Sequence, residues 1–254
     1  VYVVDSGNNR VQKFDSAGAF VIMWGSAGNN ASQFSAPSGI AVNGAVYVVD
    51  SGNNRVQKFD VNGAYLSQWG GIGSGNGQFY SPSGVVVDGS GNVYVADTYN
   101  DRVQKFDVEG TFLGKFGVYG FADGQFNAPL GVAVDSSDNV YVVDTSNDRV
   151  QKFDGAGGFL IKWGGTSGDG QFRYPWGIAV DGAVYVVDSA NHRIQKFDFD
   201  GIYLSQLGAF GEGDGQFRWP SGVAFDSVGN VYVADTFNHR IQKFDSNGVY
   251  ITKW

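Results

Sequence analysis

Two histidines, His192 and His239, are the side chains best suited to acid–base or metal chemistry near neutral pH. Each stands in an Asn-His-Arg triplet. A catalytic zinc takes three protein ligands and keeps a fourth position open. Two histidines supply two of these, and an aspartate would have to supply the third. The glutamates are only Glu109 and Glu212, and cysteine is absent. The position of the two histidines is filled elsewhere by Asn9, Asn54, Asp101 and Asp148, which are ordinary turn residues. The triplet therefore reads as one more spelling of a turn. No Ser/His/Asp constellation has motif support, and neither a phosphate-cradling loop nor a thiol nucleophile is present. The chain is expected not to be an enzyme and to need no metal or cofactor.

A second group of residues has the chemistry of recognition. Arg173, Tyr174 and Trp176 lie together in Gln171-Phe-Arg-Tyr-Pro-Trp176, and Arg218 and Trp219 in Gln216-Phe-Arg-Trp-Pro-Ser221. The matching segments are plainer: Gln33-Phe-Ser-Ala-Pro-Ser38, Gln78-Phe-Tyr-Ser-Pro-Ser83 and Gln125-Phe-Asn-Ala-Pro-Leu130. Arginine and aromatic residues concentrate binding energy at interfaces, and a guanidinium stacks on an aromatic face. With His192, Phe237 and His239 these residues make a candidate binding surface for a protein, peptide or glycan. The competing account is drift in loops that face solvent.

The elements that must position these residues are repeats. Val1–Asp15 returns letter for letter at Val46–Asp60, and close copies begin at Val93, Val140, Val184 and Val231. The successive spacings are 45, 47, 47, 44 and 47 residues, a period that marks a stacked or circular repeat protein. In the second copy Gly39–Val42 is an apolar run expected to be buried on both faces, and Val46–Val49 is β-branched and aromatic. Arg55–Phe59 and Ala64–Trp69 are more amphipathic and expected further out. Short Gly, Asn and Asp turns separate the four. Four antiparallel strands per repeat describe a propeller blade, so the chain is expected to be all-β, a six-bladed β-propeller. Its blades run over about 1–24, 39–69, 84–116, 131–163, 177–207 and 222–254 of a single domain spanning 1–254.

The five prolines stand two residues before the Gly that opens an inner strand, where a missing N–H costs no ladder bond. The preceding Gln-Phe pair is expected to plug its ring between blades. Six copies of the other strands stand against five inner ones, so the first blade is expected to lack its inner strand in this chain. That strand would follow Trp254, precede Val1 or be missing from a three-stranded blade, and an incomplete excerpt is the favoured account. In an antiparallel blade the loop leading into the inner strand and the turn after the second strand share one rim. The candidate residues therefore fall on the rim of blades five and six.

The motifs Pro-x-Gly, Gly-Asn-Val-Tyr-Val-[AV]-Asp and Asn-x-Arg-[VI]-Gln-Lys-Phe-Asp resemble the NHL repeat over essentially the whole chain. The resemblance implies the propeller fold and leaves function open. NHL-like propellers serve as protein- or RNA-binding platforms, as extracellular sensor domains, and in relatives as metal-dependent lyases. A lyase of that type using His192 and His239 is one alternative here, and an architectural subunit of a surface assembly is another.

Charge narrows the choice. Of 17 basic residues, the arginines at 10, 55, 102, 149, 193 and 240 and the lysines at 13, 58, 105, 152, 196 and 243 recur with the repeat. Lys115, Lys162 and Lys253 share one outer-strand position, which leaves Arg173 and Arg218. Against 25 acidic residues and a net charge of −8, two arginines are too few to build a basic face for a phosphate backbone. Nucleic acid is not an expected partner. The repeated Asp and Arg, five residues apart around a turn, are expected to hold turns and blades. No apolar run reaches the length of a membrane span. An extracellular or cell-surface setting is expected from the lack of cysteine, the acidic Gly- and Asn-rich composition, the sequon Asn30-Ala-Ser32 and the likeness to secreted microbial arrays.

Overall fold

The computed structural model describes residues 1–165 and 170–254. They form an all-β, six-bladed propeller whose contacts divide into two compact units, Val1–Val132 and Ala133–Trp254. In the first unit, one blade has three strands, Tyr2–Asp5, Arg10–Phe14 and Phe20–Trp24. The second blade runs inner to outer through Pro37–Asn43, Ala45–Asp50, Arg55–Phe59 and Tyr65–Gly70. The third runs through Val85–Val87, Val93–Asp97, Arg102–Phe106 and Phe112–Phe116. The fourth sheet, Pro129–Val134 to Phe159–Gly164, begins at the unit boundary. The second unit continues with the fifth, Pro175–Val180 to Tyr203–Leu207, and the sixth, Gly222–Phe225 to Tyr250–Lys253.

Burial departs from expectation in two places. In the second blade's inner strand Gly39, Ile40 and Ala41 are only half-buried and Val42 is exposed, the strand being an edge of its sheet. The second strand is the buried one: Ala45–Asp50 is covered at every residue. The third strand lies further out in the sheet, as its pattern predicts, yet its polar residues are covered. Arg55 and Gln57 are buried with their apolar neighbours, and so are their counterparts in the third and fourth blades. The polar stripe of this strand points at a neighbouring loop, not at water.

The register explains why. Asp97 lies opposite Arg102, Val95 opposite Gln104, and Tyr94 opposite Lys105. Residues two apart share a face, so Asp97, Arg102 and Gln104 converge. The Asp97 carboxylate accepts from Arg102 Nε at 2.7 Å, Gln104 Nε2 at 3.0 Å and Asn100 Nδ2 at 2.9 Å, and from the Tyr80 backbone N–H at 2.7 Å. Arg102 then donates to the carbonyls of Ser74, Gly75 and Gln78. One ion pair thus ties a turn, two strands and the loop that leads into the blade. Asp50, Asp188 and Asp235 repeat the pattern in their own blades.

Two further devices repeat. Phe34, Phe79, Phe172 and Phe217 of the Gln-Phe pairs are buried against Phe59, Phe106, Phe197 and Phe244, with centroids 5.4–5.8 Å apart. Each repeated lysine lies over the tyrosine opposite it, at 4.9–5.8 Å, a cation–π contact that pattern reading had not anticipated. The Pro-x-Gly glycine is required by close approach: a Cβ on Gly84 would sit 2.5 Å from the Leu130 carbonyl oxygen, and one on Gly177 2.5 Å from that of Ser221.

Asp97 and Arg102 are 0% and 6% exposed, whereas Asp5 and Arg10 are 21% and 32% exposed. Arg102→Ala should therefore cost about 3–5 kcal/mol by leaving a buried, unpaired carboxylate. Arg10→Ala should cost about 1 kcal/mol or less. Urea denaturation of the two variants measures the difference.

Candidate functional site

The candidate residues sit on turns that the scaffold imposes. Between second and third strand each blade makes a short 3-10 turn, closed by a residue in the left-handed region at φ 50–57°. Asn9, Asn54, Asp101, Asp148, His192 and His239 occupy it, all of residue types that tolerate that conformation. The side chain also reaches forward to the next lead-in loop. Asn54 Oδ1 accepts the Ser81 N–H at 2.7 Å, and Asp148 Oδ1 that of Tyr174 at 2.7 Å. His192 does the same through Nδ1, which accepts the Trp219 N–H at 3.1 Å.

His192 is thus a turn residue with a structural acceptor. Nδ1 must be unprotonated, which leaves the ring proton on Nε2. Burial, and secondarily the nearby Arg218 guanidinium, hold its pKa below the ordinary value, with Asp188 and Asp235 pulling weakly the other way. The His239 imidazole shares no hydrogen bond or ring contact with His192. Among the described residues no group of three or more His, Asp or Glu is arranged to hold a metal ion.

The lead-in loops carry a second left-handed residue, the one before each proline. Ala36, Ser81, Ala128, Tyr174 and Trp219 have φ of 46–51°. The conformation belongs to the scaffold, since all five copies adopt it. A bulky side chain there is an outlier, and left-handed backbone costs a residue with a Cβ roughly 1–2 kcal/mol. Tyr174 and Trp219 accept that cost while remaining 45% and 40% exposed.

Around Trp219 the rings form a chain. His192 lies 5.8 Å from Trp219 and 5.0 Å from Phe210, and Phe237 lies 6.3 Å from Trp219 on the other side. The Phe237 N–H donates to the Arg218 carbonyl at 3.0 Å, which fixes turn against loop. The Arg218 guanidinium meets Glu212 at 3.0 Å in an exposed pair. Tyr174 and Trp176 form a separate pair 6.2 Å apart. Arg173 is tied down by its backbone, N–H to Asp188 at 2.8 Å, and its side chain is exposed. Of the eight candidates, His192, Arg218, Trp219 and Phe237 are therefore brought together, Tyr174 and Trp176 pair with each other, and Arg173 and His239 stand apart.

The loops carry further exposed aromatic residues that the comparison of lead-in segments does not single out. Phe210 itself forms the loop's parallel bridge to Phe217, in the same repeat position as Ile72 and Tyr119, and all three are exposed. Aligning that column would have found it. In the first unit Tyr80 and Tyr99 meet at 5.3 Å, and Tyr119 and Phe121 at 5.9 Å. Exposed aromatic pairs are thus not confined to the fifth and sixth blades. What distinguishes the sixth is a tryptophan on left-handed backbone with an arginine and a histidine beside it.

The NHL repeat matches residues 34–59, 79–106, 126–153, 172–197 and 217–244, together more than half of the chain. No curated protein matches the sequence. Among solved structures, a protein of unknown function from Bacteroides caccae superposes with a TM-score of 0.73 at 15% identity, covering 99% of this chain and 92% of that one. A chain of a nidogen/laminin complex gives 0.70 at 15% identity, covering 100% and 92%. The virginiamycin B lyase from Staphylococcus aureus gives 0.62 at 13% identity, covering 86% and 69%. Such identities establish the shared fold alone.

The histidine geometry has a pH signature. The folded pKa of His192 is lowered from 6.5, so the unfolded chain takes up a proton at higher pH than the folded one. Its contribution is complete above about pH 6.5 and is lost as pH falls from there toward the lowered value. His192→Asn keeps the acceptor without titrating, as Asn54 shows. The variant's melting temperature should decline less than the wild type's between neutral pH and pH 5, read by thermal denaturation in matched buffers.

Proposed function

The chain belongs to the NHL-repeat β-propellers, and we propose that it is a non-enzymatic recognition module whose sixth-blade rim binds a protein, peptide or glycan. One observation carries the proposal: Trp219 stays exposed on left-handed backbone where Ala or Ser serves in three of the other copies. Random drift disfavours a bulky residue at such a position, and a ligand that stacks on the ring would retain it. Phe210, His192 and Phe237 extend the aromatic surface, and Arg218 supplies a cation at its edge. An extracellular or surface setting is part of the same proposal, supported by the exposed sequon at Asn30.

Assembly through the first blade is a second reading, favoured by one observation. Phe20, Val21, Ile22 and Met23 are 56%, 52%, 37% and 51% exposed, whereas the outer strands of the second and fourth blades alternate. A continuous apolar strand of this kind is suited to contact with another chain. Light scattering of the wild type and of Val21→Lys should show a concentration-dependent oligomer that the substitution dissolves.

The rim is tested with Trp219→Ala, screened beside the wild type on a glycan array and against a displayed peptide library. Because Ala36 and Ala128 adopt the same backbone, unfolding free energy should change by less than about 1 kcal/mol. Hits found with the wild type should disappear. Hits that persist in a folded Trp219→Ala protein would show that the ring does not bind.

A further inference from the structure

One interior position breaks the repeat in a way that the rim does not. The outer strands place a ring at one site: Trp24, Trp69, Phe116, Trp163 and Trp254. Cross-strand, the register sets Trp24 against Val11, Trp69 against Val56 and Trp163 against Val150. Each of these indoles reaches the following blade, with its centroid 5.8–5.9 Å from Phe59, Phe106 or Phe197. A Cβ on Gly63, Gly110 or Gly201 would come within 2.6 Å of the same rings. The indole therefore fills its slot to contact.

In the fifth blade the residue is Leu207, opposite Ile194. The matching glycine, Gly248, now has only Leu207 Cδ1 near its Cβ direction, at 3.7 Å. The slot opens into a cleft of about 270 Å³, open to solvent on one side, with Tyr185, Ile194, Leu207, Val231 and Gly248 on its apolar wall and Lys196, Ser205, Gln206, Ser246 and Asn247 on its polar wall. An engineered apolar cavity of ~150 Å³ takes benzene, so there is room here for a two-ring system.

The polar groups of the cleft are also changed. The corresponding lysines Lys13, Lys58 and Lys152 donate to the carbonyls of Val61, Val108 and Phe199 at 2.8–3.1 Å. Lys196 has no such acceptor among the described residues and lies over Tyr185 at 5.1 Å. Tyr141 and Tyr232 donate their hydroxyls to Asp135 and Asp226 at 2.9 Å. The Tyr185 hydroxyl has no acceptor among the described residues, and its ring has turned to Phe225 at 4.7 Å. A missing ring thus coincides with an ammonium and a phenol that both lack acceptors.

We propose that this cleft is a binding site for a small planar aromatic carboxylate. The ring occupies the place that an indole holds in the other blades, between Leu207, Val231 and Gly248. The carboxylate accepts from Lys196, with the Tyr185 hydroxyl as a second donor. The cleft shares no residue with the aromatic rim, so the two sites stand or fall separately.

The probe is indole-3-acetate, with indole as the uncharged comparison, titrated into the full chain and followed by ¹⁵N–¹H chemical shifts and calorimetry. Saturable binding is expected, with shifts centred on Leu207, Val231 and Gly248. Lys196→Gln should weaken indole-3-acetate by about tenfold, the worth of one charge-assisted hydrogen bond, and leave indole unchanged. Leu207→Trp should restore the full slot, raise the melting temperature and abolish binding of both. If that variant does not fold, Leu207→Phe, the ring used at position 116, serves in its place and should weaken both. Absence of saturable binding, or binding that survives in a folded ring-filled variant, overturns the site. Equal affinity for the two probes, unaffected by Lys196→Gln, overturns the assignment of a carboxylate.

Discussion

The buried aspartate–arginine pair is the interaction on which the rest of the fold depends. A blade is a small sheet whose edges and loops must be held against a neighbour, and apolar packing alone is non-directional. Asp97 supplies direction by accepting from Arg102, Gln104, Asn100 and the Tyr80 N–H at once. Isolated, a carboxylate with no exposed surface would be costly to bury. Here every lone pair has a partner, and the arginine hands its remaining donors to loop carbonyls. Removing any member would strand the others, so the unit can be copied whole but not edited piecemeal.

That constraint explains where variation is tolerated. The lead-in loop must reach the aspartate and must turn left-handed before its proline, but its side chains beyond those contacts are unconstrained. Ser, Tyr, Asn and Arg accordingly follow the Gln-Phe pair in different copies. The outer strand meets the turn of the next blade through a ring, so a smaller residue on that strand leaves space that nothing else fills. Rim and cleft are two outcomes of one principle. Where the scaffold interaction is intact the copies agree, and where they disagree the chemistry is local.

Much of the architecture was legible because its cause is periodic. The six-bladed fold, the buried Gln-Phe ring and the scaffold role of Asp and Arg all follow from residues that return in register. Burial is less legible, because neither alternation nor a uniform apolar run reports what a face meets. Arg55–Phe59 alternates polar and apolar, yet its polar face is buried against a loop. Gly39–Val42 is uniformly apolar, yet it is an edge strand and half-open. Periodicity reports which residues share a face, and only topology reports what that face meets. The aromatic rim was partly legible. Arg218 and Trp219 stand out against plainer copies, but Phe210 lies outside the lead-in segment that varies most visibly, and Tyr80 and Tyr99 are brought together only by the fold. Leu207 was invisible as a site, because a leucine in a strand attracts no notice until its counterparts are seen to be rings.

Electrostatics separates the two sites by what each leaves unsatisfied. Most of the repeated cations are spoken for, the arginines by buried aspartates and several lysines by carbonyls of the next turn. On a chain of net charge −8 a cation without a fixed partner is a specific feature rather than background. Arg218 meets only an exposed glutamate, a pair that contributes little in water, and it can exchange that partner for a ligand at small cost. Lys196 is held over a tyrosine ring beside an unfilled slot, so an anion reaching it must bring its own apolar body to occupy the space. The first arrangement suits a broad surface contact, the second a small molecule of defined shape, and neither asks the shared scaffold to move.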